Sequence, residues 1–220
     1  MPLLYKKTSP LRGVWKMDES SDELLAMLGS KAEYRSFLEQ AKSESRRQEY
    51  LATRLLLKEL IGEETVIDYR STGAPFLPSL PIHISITHTK GYAALILDTQ
   101  PTGIDMEYRS NRVLKIRSRF MTPEEEAGID PTHEVEHLLL HWCAKETLFK
   151  RIEREGVNIQ THLHVNAFPY SDQGYFTMRE TRAETPQMYV LAYQVTPEYV
   201  LTWIVSSHSP LPDLPSGERL

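Results

Sequence analysis

The chain has 220 residues, 40% hydrophobic and 25% charged, with a formal net charge of −5. That composition fits a globular protein with a sizeable core, and the acidic balance argues against a nucleic-acid partner. No apolar run approaches the roughly 20 residues of a membrane span, residues 1–7 lack a signal-peptide core, and a lone cysteine, Cys143, excludes an internal disulfide framework and fits a reducing cytoplasm.

Leu11–Met17 reads as a short strand. Ser20 and Glu23 have the spacing of a capping box and predict a helix to about Leu28. A second helix is expected from Lys31 to near Ala41, and a third from about Ser45 to Ile61, stopped by Gly62. On the third, Arg47, Arg54 and Lys58 share one face, which is either a solvated basic stripe or a phosphate-binding surface. Thr65–Arg70 reads as a strand and 71–75 as a turn. From Ile82 the residues alternate, with His83, Ser85 and Thr87 on a polar face. Residues 88–91 then turn the chain into a returning strand, Tyr92–Asp98.

The next stretch, Gly103 to Glu107, reads as a strand whose order is informative. Asp105 and Glu107 fall on one face, and Ile104 and Met106 on the other, toward a core. Two carboxylates side by side repel each other, and a hard divalent cation such as Mg²⁺ relieves that repulsion. Gly103 leaves room for a ligand or another backbone. The same pattern also suits an edge strand with two solvated acids.

Helical segments are expected around Val113–Arg119 and from Thr122, where Thr122 and Pro123 make a good helix start with acids in the first turn. A long helix spans about His133–Glu155, and a β-meander follows: His162–Asn166, Tyr175–Arg179, Met188–Tyr193 and Tyr199–Ser206. In the long helix Leu138, Leu139, Trp142, Cys143 and Phe149 cover one arc, and Glu146 and Lys150 fall inside it. An acid within an apolar arc is costly unless something satisfies it. The bland alternative is a surface Glu–Lys pair four residues apart. Trp142 reads as core packing.

The stretch from Gly103 to Glu107, followed about 35 residues later by Trp142, Cys143, Ala144, Lys145, Glu146 and Lys150, resembles the paired signature of the 4′-phosphopantetheinyl transferases. The length matches the monomeric, surfactin-synthetase-type branch, and the segment Ser85 to Thr89 resembles that branch's Asn/Ser-x-Ser-His-Ser segment. The resemblance runs from about Arg46 to Lys150. It implies an α+β fold, a pseudo-dimer of two similar α/β halves, with halves expected at 1–102 and 103–208 and a loose tail at 209–220. It implies a cytoplasmic monomer, with no nucleic-acid or membrane partner, that moves the phosphopantetheine arm of coenzyme A to a serine of an apo acyl or peptidyl carrier protein. The other product would be adenosine 3′,5′-bisphosphate.

Carried over onto this sequence, Asp105, Glu107 and Glu146 would hold Mg²⁺. Thr87 and His88 would contact the coenzyme A phosphates, with Arg47 and Arg54 as helpers and Gly73 in the segment where the family often has Gly-Lys-Pro. Lys145 and Lys150 would neutralise phosphate charge. Glu125 would be the general base, with Glu124 as the alternative. Ala74 stands where a lysine is usual, and Thr87 where a serine is. Two other readings stay open on the sequence: a Mg²⁺-dependent nucleotide phosphohydrolase, and a carrier-protein binding module without chemistry.

Overall fold

A computed structural model of the protein describes residues 3–29, 32–152 and 154–205. The tail expected at 209–220 and the strand end expected at Ser206 lie outside the described residues. The chain divides into two compact units, Met1–Gln100 and Pro101–Leu220. Each has its own sheet and its own buried cluster, and both mix helices with antiparallel strands.

The first unit opens with a hairpin, β1 (Leu3–Thr8) and β2 (Leu11–Lys16). Three helices follow: α1 (Ser21–Leu28), α2 (Ala32–Gln40) and α3 (Glu44–Ile61). A two-stranded ribbon, β3 (Asp68–Tyr69) with β4 (Pro75–Phe76), precedes the hairpin β5 (His83–Thr89) and β6 (Tyr92–Asp98). The main sheet has the order β1-β2-β6-β5. Helix α1 starts on the expected capping box: Glu23 N–H donates to the Ser20 hydroxyl, and Ser20 N–H donates to the Glu23 carboxylate. Helix α3 ends at Gly62, whose φ of 95° lies in the left-handed region that side chains disfavour. Leu51, Leu55, Leu56 and Leu60 of α3 pack with Trp15, Leu95 and Leu97 of the sheet.

Two elements here differ from the sequence pattern. Strand β1 gave no signal because it is an edge strand with exposed Lys6 and Lys7, so it lacks the apolar alternation of a half-buried strand. The strand expected at Thr65–Arg70 shrinks to the two exposed residues of β3, paired with β4.

The second unit begins with β7 (Ile104–Tyr108) and continues through α4 (Arg112–Ile116), α5 (Pro123–Ala127) and α6 (Glu134–Ile152). A single turn, α7 (Ile159–His162), leads into β8 (Leu163–Val165), β9 (Gln173–Glu180), β10 (Gln187–Val195) and β11 (Tyr199–Ile204). The sheet order is β7-β11-β10-β9-β8, antiparallel throughout. The expected meander is present, with its first strand shortened because α7 takes up Ile159–His162. On α6, Leu138, Leu139 and Cys143 are buried as the arc predicts, but Phe149 is 41% exposed and Lys145 is fully buried.

The two units share one wiring. A strand (β2 or β7) leads into an excursion containing a long helix (α3 or α6), and a hairpin (β5–β6 or β10–β11) returns its second strand beside the first. The likeness of the halves therefore lies in topology, without a strong sequence repeat.

Gly103 explains how α6 meets its sheet. A Cβ there would stand 2.2 Å from the backbone oxygen of Thr147, so helix and strand cross at backbone contact. The room left by this glycine is filled by another backbone.

Candidate active site

Among the described residues strand β7 pairs only with β11, with Asp105 opposite Thr202 and Glu107 opposite Val200. Directly opposed residues share a face. Thr202 exchanges a hydroxyl hydrogen bond with Thr147 of α6 at 2.7 Å, which identifies that face as the one covered by the helix. Asp105 and Glu107 therefore point toward α6, and Ile104 and Met106, each 1% exposed, point away.

Helix α6 answers with a stripe at four-residue spacing: Trp142, Glu146 and Lys150. The Trp142 indole N–H donates to Glu107 Oε1 at 2.8 Å. Lys150 Nζ donates to Asp105 Oδ1 at 2.6 Å and to the carbonyl of Ile104 at 3.2 Å. Glu146 lies one turn from each partner and feels both acids. Burial, then the charge of Asp105, then that of Glu107 push its carboxyl up to about 7, against some relief from Lys150. Burial first, and then Asp105, also raise Glu107. Lys150 reaches across to the strand, which a simple surface pair with Glu146 would not require.

Among the described residues no group of three ligating side chains is already gathered into a metal cage. The donor set nonetheless suits a hard divalent cation: three carboxylates, of which Glu146 and Glu107 are raised by burial first and then by the neighbouring acids. An ammonium now neutralises one of them, Asp105.

This electrostatics has a testable consequence. Glu146 holds its proton to a higher pH in the folded protein, about 7, than its ordinary 4.5. Between those values the native state binds more protons than the unfolded chain, so stability falls as pH rises. The melting temperature of the ligand-free protein is expected to decline across that window from this group, and saturating Mg²⁺ is expected to flatten the decline. Thermal melts from pH 4.5 to 7.5 with and without Mg²⁺ check it.

Trp142 packs as expected, with its ring 5.2 Å from that of Phe120. Its indole also fixes a carboxylate. The available signal was its place four residues before Glu146 on the same helical stripe. Trp142→Phe keeps the ring and removes the donor. It is expected to weaken divalent-cation binding by about tenfold or more, since a hydrogen bond to a charged group is worth about 1.5–3 kcal/mol and about 1.4 kcal/mol is tenfold; calorimetric Mg²⁺ titration reads it.

Two expectations in this unit need correction. Lys145 does not face a phosphate: it is 0% exposed, and its Nζ donates to the Phe120 carbonyl at 2.5 Å and to Glu125 Oε2 at 2.8 Å. One step along a helix turns a side chain by about 100°, and that places Lys145 on a different side from Glu146. Glu125 is not poised as an open base. Its Oε2 also accepts the Thr122 N–H at 2.9 Å, completing a capping box, and Oε1 accepts the Val165 N–H at 2.8 Å. Glu124 is exposed, and its own backbone N–H and then the Thr122 hydroxyl hold its carboxyl below the usual range.

In the first unit, Thr87 and His88 lie on opposite faces of β5, because neighbours in a strand alternate. Thr87 is buried and His88 is exposed. His88 sits beside α3, with its ring 3.4 Å from the Arg46 guanidinium and 3.5 Å from the Glu49 carboxylate. Arg54 does not join a basic face: its guanidinium stacks 3.3 Å from the centre of the Tyr50 ring and donates to the Tyr50 carbonyl. Arg47 donates to the Ala41 carbonyl at 3.2 Å. Arg46, rather than Arg47 or Arg54, is the cation near His88, a consequence of helix rotation that spacing among arginines alone did not reveal. Gly73 turns the chain with a φ of 85°.

The profile of the 4′-phosphopantetheinyl transferase superfamily matches residues 101–204. That segment makes up most of the second unit. Curated relatives agree with the motif resemblance. A 4′-phosphopantetheinyl transferase of Bacillus subtilis is 25% identical over 149 residues, 66% of this chain and 63% of the relative. The 4′-phosphopantetheinyl transferase Sfp of Bacillus subtilis strain 168 is 26% identical over 145 residues, 64% of this chain and 62% of the relative. The 4′-phosphopantetheinyl transferase ffp of Bacillus subtilis is 27% identical over 134 residues, 58% of this chain and 57% of the relative. The alignments thus cover less than two thirds of these relatives' own length. No described helix of the chain is long and apolar enough to cross a membrane.

Proposed function

We propose that this protein is a 4′-phosphopantetheinyl transferase of the Sfp-type branch, which moves the phosphopantetheine arm of coenzyme A to a serine of an apo acyl or peptidyl carrier protein. The observation that carries the reading is the convergence of Asp105, Glu107, Glu146 and Lys150 between one strand and one helix, inside the segment that matches the superfamily.

The serine oxygen forms a bond to the phosphorus that bears the pantetheine arm. The bond from that phosphorus to the bridging oxygen breaks, and adenosine 3′,5′-bisphosphate leaves. A divalent cation held by Asp105, Glu107 and Glu146 would supply charge neutralisation at the pyrophosphate. Lys150, half-buried and mobile on a four-carbon stem, adds a second positive charge beside Asp105. Glu146 completes the carboxylate set that would hold the cation, and the serine proton would leave to water at the site. Glu125, spent on two backbone hydrogen bonds and Lys145, serves as a positioning residue that ties α5 to α6 and β8. Trp142 orients Glu107.

In the first unit, His88 and Arg46 have the chemistry for phosphate oxygens. Arg47, Thr87 and Gly73 remain secondary candidates there. The cytoplasmic, monomeric state expected from the resemblance belongs to the same proposal.

The test follows product release by chromatography. The protein, coenzyme A and Mg²⁺ should release adenosine 3′,5′-bisphosphate only when an apo carrier protein is added. Release at the same rate without any carrier would point instead to a phosphohydrolase.

A further inference from the structure

We infer that a cavity on the far side of α6 binds a small uncharged molecule carrying an amide or hydroxyl group. The cavity has a volume of about 500 Å³ and lies wholly within the second unit, between the start of α5, the first half of α6 and the chain from β8 to β9. His137 and His141 of α6 form part of its wall. At about 100° per residue they lie on the side of α6 opposite Glu146. The cavity is therefore separate from the carboxylate cluster, and this inference stands independently of the proposed transfer reaction.

The hydrogen bonding of the two histidines defines what the cavity would accept. His137 is 1% exposed, and its Nδ1 accepts the Asp130 N–H at 3.1 Å. The proton of the neutral ring is then on Nε2, which is buried and has no partner among the described residues. His141 is 2% exposed, and its Nδ1 donates to the His137 carbonyl at 2.9 Å, which leaves its Nε2 as an acceptor. The rings are tilted side by side, 5.1 Å between centres. A buried donor left unsatisfied costs free energy and calls for an explanation. A donor and an acceptor on adjacent rings complement a group that has both functions, such as an amide or a hydroxyl.

Charge argues against an ionic occupant. Burial pushes both histidines toward the neutral form, His141 down to about 4. Glu125 also lines the cavity, but it is paired with Lys145. Glu124 and Arg179, exposed at the wall, have opposite signs. An unpaired charge placed against two neutral rings would be penalised. Phe168 supplies the apolar side, with its ring 4.7 Å from that of His137 and 5.6 Å from that of His141.

The experiment uses the full chain labelled with ¹⁵N-histidine and follows the ring nitrogens by NMR at pH 7.5. Benzamide, benzyl alcohol and benzoate are titrated in turn, each with an aromatic ring to lie against Phe168. The expected result is saturable shifts of His137 Nε2 and His141 Nε2 with benzamide or benzyl alcohol, and at least tenfold weaker binding of benzoate. His137→Phe should remove the effect, and His141→Leu provides a second variant should the first fail to fold. Absence of any shift with all three probes would mean that the cavity holds only water and would overturn the inference. Benzoate binding as tightly as benzamide, or binding untouched by either folded variant, would overturn it equally.

Discussion

Replacing Asp105 by Asn is expected to lower phosphopantetheine transfer by about 10²–10³-fold or more while leaving the protein folded. Asp105 carries one of three negative charges that would hold the cation, and it also anchors Lys150 at 2.6 Å. Charge stabilisation of a transferring phosphoryl group by a bound metal contributes several kcal/mol, and each 1.36 kcal/mol is tenfold in rate. The amide keeps the shape and one acceptor for Lys150, whose side chain is 29% exposed and can turn to solvent. The loss should therefore appear in turnover and Mg²⁺ dependence, with the melting temperature shifted by only a few degrees. Steady-state kinetics at varied Mg²⁺, beside a thermal melt, separates the two. A variant with near wild-type rates would remove Asp105 from the site.

Glu125→Gln is expected to act mainly on stability. The Lys145 ammonium, 0% exposed, would lose its only anionic partner among the described residues and remain buried. Breaking a buried pair by removing one member costs about 3–5 kcal/mol, because an uncompensated charge stays behind. For a chain of this size each kcal/mol moves the melting temperature by about 2–4 °C, so a fall of about 6–20 °C is expected. The double variant Glu125→Gln with Lys145→Met removes both charges and should recover much of that loss. The single variant would still retain transfer at temperatures where it is folded. An unchanged melting temperature with turnover lowered a hundredfold would return Glu125 to the role of general base.

The carboxylate cluster was legible in the sequence because it rests on two periodicities. Alternation in a strand puts Asp105 beside Glu107, and the four-residue repeat of a helix puts Glu146 in line with Lys150. Gly103 announced a close approach, although the sequence did not say whether ligand or backbone would fill it. What stayed hidden depends on rotation about an element's axis or on contacts far apart in the chain. Lys145 is adjacent in sequence to Glu146 and points into a buried pair with a residue 20 positions away. His88 follows Thr87 and faces the other side of β5. Arg54 belongs to an apparent basic face but folds back over Tyr50 on its own helix. The wiring shared by β2, α3, β5 and β6 with β7, α6, β10 and β11 is visible only once strands are paired, since topology is independent of residue identity at most positions.

The measurement that bears most directly on the whole account is the intact mass of an apo carrier protein after incubation with this protein, coenzyme A and Mg²⁺. The account predicts a gain equal to one phosphopantetheine group, lost when the carrier serine is replaced by Ala and when excess chelator is present. A carrier mass that stays unchanged across acyl and peptidyl carrier proteins, or a full gain in the presence of chelator, would contradict it.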